Sequence, residues 1–77
     1  MILEIITPDK TIYNGDADLV QLPGIDGSFE ILNNHAPLIS ALKKGKVKVK
    51  KASGEEFFEI NGGIIEVLKN KILILAE

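Results

Sequence analysis

Cysteine, arginine and tryptophan are all missing from this chain of 77 residues, and each absence closes off a kind of chemistry. Without cysteine there is no disulfide staple and no thiolate to hold a metal, a composition at home in a reducing compartment, so the cytosolic side is expected. Without arginine the chain has no planar fork to grip a phosphate or carboxylate through two parallel hydrogen bonds. No apolar run approaches the roughly 20 residues needed to cross a bilayer. No basic segment precedes the apolar stretch after Met1, so neither a membrane span nor a targeting leader is expected. The net charge of -2 has the wrong sign for a free nucleic-acid binder, which needs many cations to displace phosphate counterions.

What remains is one small core. A chain this short buries only about 60% of its unfolded surface, which leaves little room for an internal active-site cavity. Phosphate-loop chemistry needs a glycine-rich loop ending in Gly-Lys-Ser/Thr, and Lys44-Gly45-Lys46 does not supply it. His35 is the single histidine and has no second imidazole or thiolate to share a metal. Asp26 and Glu30 lie on one turn, too close in sequence to be assigned as an acid and base pair. The residues therefore predict no catalytic group, no metal and no cofactor.

Short β-branched runs bounded by turn residues dominate the chain. Ile2 to Thr7 reads as a first strand closed by Pro8-Asp9, and Thr11 to Tyr13 as a second. Asn14-Gly15-Asp16 is a strong turn signal, followed by a third strand from Ala17 to Leu22 that ends at Pro23. Phe29 to Leu32 forms a fourth. Lys46 to Lys51 and Glu55 to Ile60 flank Ala52-Ser53-Gly54 as a hairpin, and Ile64 to Leu68 and Lys71 to Leu75 form another across Lys69-Asn70. Pro37 to Lys44 reads both ways, and pattern alone leans helix: Pro37 suits a first helical position, and Leu38, Ala41 and Leu42 fall on one helical face. The expected fold is all-β, a compact antiparallel β-sandwich of about eight to ten short strands forming a single domain over residues 1–77.

Two surface features stand out. Lys43, Lys44, Lys46, Lys48, Lys50 and Lys51 give one strand a lysine face. The plain reading is a solvated strand whose lysines meet Glu55, Glu56 and Glu59 across the hairpin, with no interleaved aromatics for base stacking. The second feature is a surplus of apolar residues. Ile5-Ile6, Leu19-Val20, Phe57-Phe58, Ile64-Ile65, Val67-Leu68 and Ile72 to Leu75 are apolar on both faces of their strands, whereas a free sandwich buries only one. Either bulges turn both side chains inward, or the outward set is covered by another protein, and a protein-docking surface is the expectation.

The stretch from Leu22 to Gly45, LPGIDGSFEILNNHAPLISALKKG, adds a resemblance. The succession of Pro23-Gly24, Gly27, Phe29, Ile31-Leu32 and Asn34-His35-Ala36-Pro37-Leu38 is similar to the epsilon subunit family of the F-type ATP synthase. The likeness continues through Thr7-Pro8, Asn14-Gly15, Leu42 to Val47 and Asn61-Gly62-Gly63-Ile64-Ile65-Glu66-Val67, and so covers essentially the whole chain. It implies a strand at Pro37 to Lys44 and a noncatalytic central-stalk (rotor) subunit, coupling proton-driven rotation of the c-ring and gamma subunit to ATP synthesis. Gly24, Ile25, Asp26, Gly27, Ser28 and Glu30 would form the loop facing the c-ring, Asp26 meeting a ring arginine. His35, Ala36, Pro37 and Leu38 would face gamma. The location implied is peripheral, on the cytoplasmic face of the cell inner membrane, with no membrane insertion. Members often carry Glu where this chain has Ser28, and Gly where it has Glu30, which displaces the charge on the ring-facing loop. Most members also continue into a carboxy-terminal helical hairpin, so a short form that neither binds ATP nor inhibits through helices is expected. Two rivals are a lipoyl or biotinyl carrier domain, with Lys10, Lys69 or Lys71 as the modifiable residue, and a small nucleic-acid-binding β domain using the lysine face.

Overall fold

The computed structural model describes Met1–Glu77 as nine strands. They are β1 (Ile2–Ile6), β2 (Thr11–Asp16), β3 (Leu19–Gly24), β4 (Gly27–Leu32), β5 (Leu38–Leu42), β6 (Gly45–Lys51), β7 (Gly54–Ile60), β8 (Gly63–Leu68) and β9 (Lys71–Ala76). Hydrogen bonding runs in the order β2, β1, β9, β8, β5, β3, β6, β7, with β4 paired to β3. The sheet turns a corner between β5 and β3, where Gly24 and Leu42 form the single paired position. One half, β2 to β5, then stacks on the other, β4, β3, β6 and β7. Every pairing is antiparallel except that of β1 with β9, which the sequence does not disclose because the two strands lie at opposite ends of the chain.

Period-two alternation fills the space between the halves. Leu3, Ile5, Val20, Leu22, Ile31, Val47, Val49, Ile65, Ile72 and Ile74 are fully enclosed, within one cluster of 15 buried apolar residues drawn from both halves. No polar or charged residue is buried and no buried side-chain nitrogen or oxygen lacks a partner, so the core carries no unpaid desolvation. At the open side Tyr13 of β2 meets Phe58 of β7 edge-on, ring centroids 5.5 Å apart, and the Asp18 N–H donates to the Lys50 carbonyl at 2.8 Å.

Local turn chemistry is followed in most places. Lys69 and Asn70 adopt φ of 50° and 59°, a two-residue left-handed turn whose twist matches the hairpin it closes. One turn assignment fails. Asn14, Gly15 and Asp16 stay extended inside β2, opposite Glu4, Leu3 and Ile2, and the chain turns instead at Ala17-Asp18. Pairing with β1 outweighs the local preference, and the Tyr13 hydroxyl, donating to the Asp16 carbonyl at 2.7 Å, holds the segment straight. β3 correspondingly starts at Leu19 and carries Pro23 and Gly24 within it, the Pro23 carbonyl accepting from the Lys43 N–H at 2.8 Å. The two-way segment is a strand: β5 pairs along its length with β8, and Leu38, Ala41 and Leu42 do not share a face.

The lysine strand meets its glutamates diagonally. Directly opposite one another are Lys50 and Glu55, and Lys46 and Glu59, yet the close ion pairs are Lys48 with Glu55 at 3.9 Å and Lys51 with Glu56 at 2.9 Å. The Lys51 ammonium also lies 5.3 Å from the centre of the Tyr13 ring. Its pKa is held above the usual 10.5, by the Glu56 carboxylate first and by Tyr13 second. A raised folded value gives stability that is complete below the unfolded pKa and is lost as pH climbs through the folded one. Melting wild type and Lys51→Met across the alkaline range should therefore show a small stability difference that closes only above pH 10.5. A difference constant with pH would mean that Lys51 acts through its aliphatic stem instead.

Candidate functional site

The β3 and β4 hairpin ends in a tip built for tightness. Gly24 pairs with Gly27, and Ile25-Asp26 makes the turn between them. Gly27 has φ of +132°, a backbone that side-chain-bearing residues rarely adopt. At Gly24 the obstacle is space: an added Cβ would lie 2.5 Å from the Gly27 carbonyl oxygen and 2.7 Å from the Phe29 ring. Ile25 is thrust into solvent, with Asp26, Ser28 and Glu30 exposed around it. The Ile25 N–H donates to the Ala41 carbonyl at 3.3 Å, fastening the tip to the last turn-ward residues of β5.

The second predicted segment is placed elsewhere. His35, Ala36 and Pro37 are exposed, Leu38 is half-buried against the core, and the loop is bound to the β8 and β9 turn by the Asn34 N–H donating to Asn70 Oδ1 at 2.8 Å. His35 Nδ1 sits 2.7 Å from the Ala36 carbonyl oxygen, a local contact that occupies its polar edge. Tip and histidine loop lie at opposite ends of β5, about 13 Å apart at the 3.3 Å rise of a strand. They form two surfaces, not one site, and no group of three or more His, Asp or Glu side chains converges as a metal site would require.

A third surface joins them. Outward positions on β1, β9, β8 and β5 fall into rows across the strands: Ile6, Leu75, Ile64 and Ala41 in one, Glu4, Leu73, Glu66 and Ile39 in the next. Ile64 is 50% exposed, Leu75 47% and Ile39 73%. In the doublets Ile64-Ile65 and Val67-Leu68 one side chain points in and the other out, so inward-turning bulges do not absorb the apolar surplus there. The register shift at Ile5/Ile6 is the exception, and Ile6 is only half-buried. On the other half of the sandwich the outward face is mostly ionic, carrying Glu30, Lys46, Lys48, Lys50, Glu55 and Glu59, with Phe57 and the directly paired Leu19 and Leu32 as its apolar members. Sequence reasoning missed Ile39, the most exposed large apolar residue, because its segment also fitted a helix; once a strand is accepted, period two puts Ile39 outside.

The family described as ATP synthase, Delta/Epsilon chain, beta-sandwich domain matches residues 1–77. The ATP synthase epsilon chain of Chlorobium limicola is 45% identical over 76 residues, covering 97% of this chain and 86% of that one. That of Caulobacter vibrioides is 40% identical over 73 residues, 95% of this chain and 85% of the relative. The sodium-ion-specific epsilon chain of Propionigenium modestum is 39% identical over 75 residues, and this chain spans 55% of its length. Among solved structures, a chain of the Euglena gracilis mitochondrial ATP synthase superposes with a TM-score of 0.91 at 20% identity, over 99% of this chain and 49% of that one. A chain of the Tetrahymena thermophila mitochondrial ATP synthase central stalk and c-ring gives 0.80 at 24%, over 97% and 61%. At those identities the two structures speak for the fold alone. The carrier and nucleic-acid readings are set aside by these matches, although Lys69 does stand on a hairpin turn as a carrier lysine would. With the match running the full length of the chain, this protein belongs to the ATP synthase delta/epsilon family, as a noncatalytic chain of that complex.

Proposed function

We propose that the chain works as a rotor subunit at the foot of the central stalk, coupling rotation of the c-ring and the gamma subunit to ATP synthesis. The β3 and β4 tip faces the polar loops of the ring, through Gly24 to Ser28 and Glu30. The outward face of β1, β9, β8 and β5, continued at one margin by His35 to Leu38, faces gamma. The observation that carries this reading is the row Ile6, Leu75, Ile64 and Ala41, which a solitary domain has no reason to leave in water. At about 25 cal/mol per Å2, covering even a few hundred Å2 of such surface offers several kcal/mol against the cost of association. Asp26 contributes position more than strength, since an exposed ion pair is worth about 0–1 kcal/mol. The subunit is peripheral, on the cytoplasmic face of the inner membrane; no helix is long and apolar enough to cross a bilayer.

A tagged copy expressed in its own cell and recovered from detergent-solubilised membranes tests the reading. Gamma and the c-ring should co-purify in constant ratio. Recovery of an unrelated complex, or of the chain alone under conditions that keep the rotor intact, overturns it.

A further inference from the structure

Glu4 and Glu66 flank Leu73 in the row beside Ile6, Leu75, Ile64 and Ala41. They stand on the two strands either side of β9, so their Cα atoms are about 10 Å apart at the spacing of neighbouring strands. Rows on one face are two residues apart, about 7 Å, so a partner that covers the apolar row also takes both carboxylates out of water. Neither carboxylate has an ion pair within the chain. Two cations lie near Glu66: Lys71, opposite Ile2 and Leu68 and diagonal to both carboxylates, and Lys69 of the adjoining turn, which lines a pocket with Glu66, Leu73 and Lys71; neither serves Glu4 or Glu66 within 4 Å. Burying an unpaired carboxylate is strongly unfavourable, and the compensation has to arrive with whatever covers it.

The geometry points to a partner surface that carries two basic side chains about 10 Å apart, one for Glu4 and one for Glu66, on either side of an apolar strip that meets Leu73, Ile64 and Leu75. The inference rests on the reading of this face as the gamma-docking surface, and it supplies the chemistry of that contact. The same arrangement disfavours a second copy of this chain as the occupant, because the strip would then meet a face with the same two unpaired carboxylates.

Binding of the isolated chain to purified gamma subunit, measured by calorimetry over a range of sodium chloride concentrations, decides the matter. Wild-type affinity should fall as salt rises. Glu4→Gln with Glu66→Gln should bind about tenfold more weakly at low salt and lose most of the salt dependence. Glu4→Lys with Glu66→Lys should bind about 100-fold more weakly or worse. All three should melt alike, since the changes are outward-facing. A double-glutamine variant that binds as well as or better than wild type, with unchanged salt dependence, overturns the basic-partner inference while leaving the docking face in place. The docking face itself fails if Ile64→Lys with Leu75→Glu still binds gamma normally, and self-association of the wild-type chain through this face would also overturn the inference.

Discussion

Gly63→Ala is expected to unfold most of this domain at temperatures where the wild type is intact. Two costs meet at this position. Its φ of +149° belongs to a region that residues with a Cβ reach only under strain, about 1–3 kcal/mol. Its missing side chain also leaves the space into which the Leu75 carbonyl projects: an added Cβ would overlap that oxygen and lie 3.1 Å from the Ala76 Cα. The obstacle is backbone, and β9 cannot retreat without breaking the Gly63 and Ala76 pairing and shifting Ile74 in the core. A domain of this size holds about 4–12 kcal/mol in total, at the usual 0.05–0.15 kcal/mol per residue. A loss of about 3 kcal/mol or more then lowers the melting temperature by roughly 12–24 °C. Gly54 provides the control, with φ of +134° and nothing within 4 Å of an added Cβ. Gly54→Ala should show the strain without the collision, about 1 kcal/mol. Equal losses in the two variants, measured by thermal circular dichroism, would mean that the collision at Gly63 is relieved elsewhere and that β9 is softer than its pairing implies.

The second large effect falls on assembly instead of folding. Ile64→Lys combined with Leu75→Glu places opposite charges on directly paired positions of β8 and β9, so the sheet keeps a favourable cross-strand pair in water. Stability should stay within about 0.5 kcal/mol of wild type, because both side chains point outward. Docking should be lost by about 100-fold or more, since a partner that covers this face must now desolvate two charges at its centre. The matching change on the ionic face, Leu32→Glu with Phe57→Lys, also removes two exposed apolar residues and should leave assembly unchanged. Both pairs of variants are read in the same co-purification from solubilised membranes. Equal loss from both faces would indicate that the outer surface as a whole, not the row on β1, β9, β8 and β5, does the docking.

The two effects separate what holds the chain together from what holds it in place. Leu3, Ile5, Ile65, Ile72 and Ile74 point inward and are fully enclosed. Their immediate neighbours Ile6, Ile64 and Leu75 point outward on the same strands, and they are as apolar as the core itself. A strand does not distinguish the two sets by composition, only by parity. The apolar doublets were therefore visible in the chain, and so was the surplus, but which member of each doublet faced the core depended on the register with the strands alongside.

The hairpins at Ala52-Ser53-Gly54 and Lys69-Asn70 and the all-β class were legible from residues alone, because turn geometry and period-two burial are set within a few bonds of the residues that cause them. Asn14-Gly15 shows the limit of that locality. Its turn preference is real, yet pairing along β1 outweighs it, and the sequence does not state that β1 will lie alongside. The same holds for the strand at Leu38–Leu42, whose local pattern leans helix and which becomes a strand by pairing with β8. The parallel contact of β1 with β9, the single Gly24 and Leu42 bridge at the corner, and the gathering of Glu4, Leu73, Glu66 and Ile39 into one row arise from strands far apart in the chain. By itself the sequence settled where the chain bends and which residues avoid water; the tertiary structure alone decided which of those residues still meet it, because facing is a property of pairing partners and not of the residues themselves.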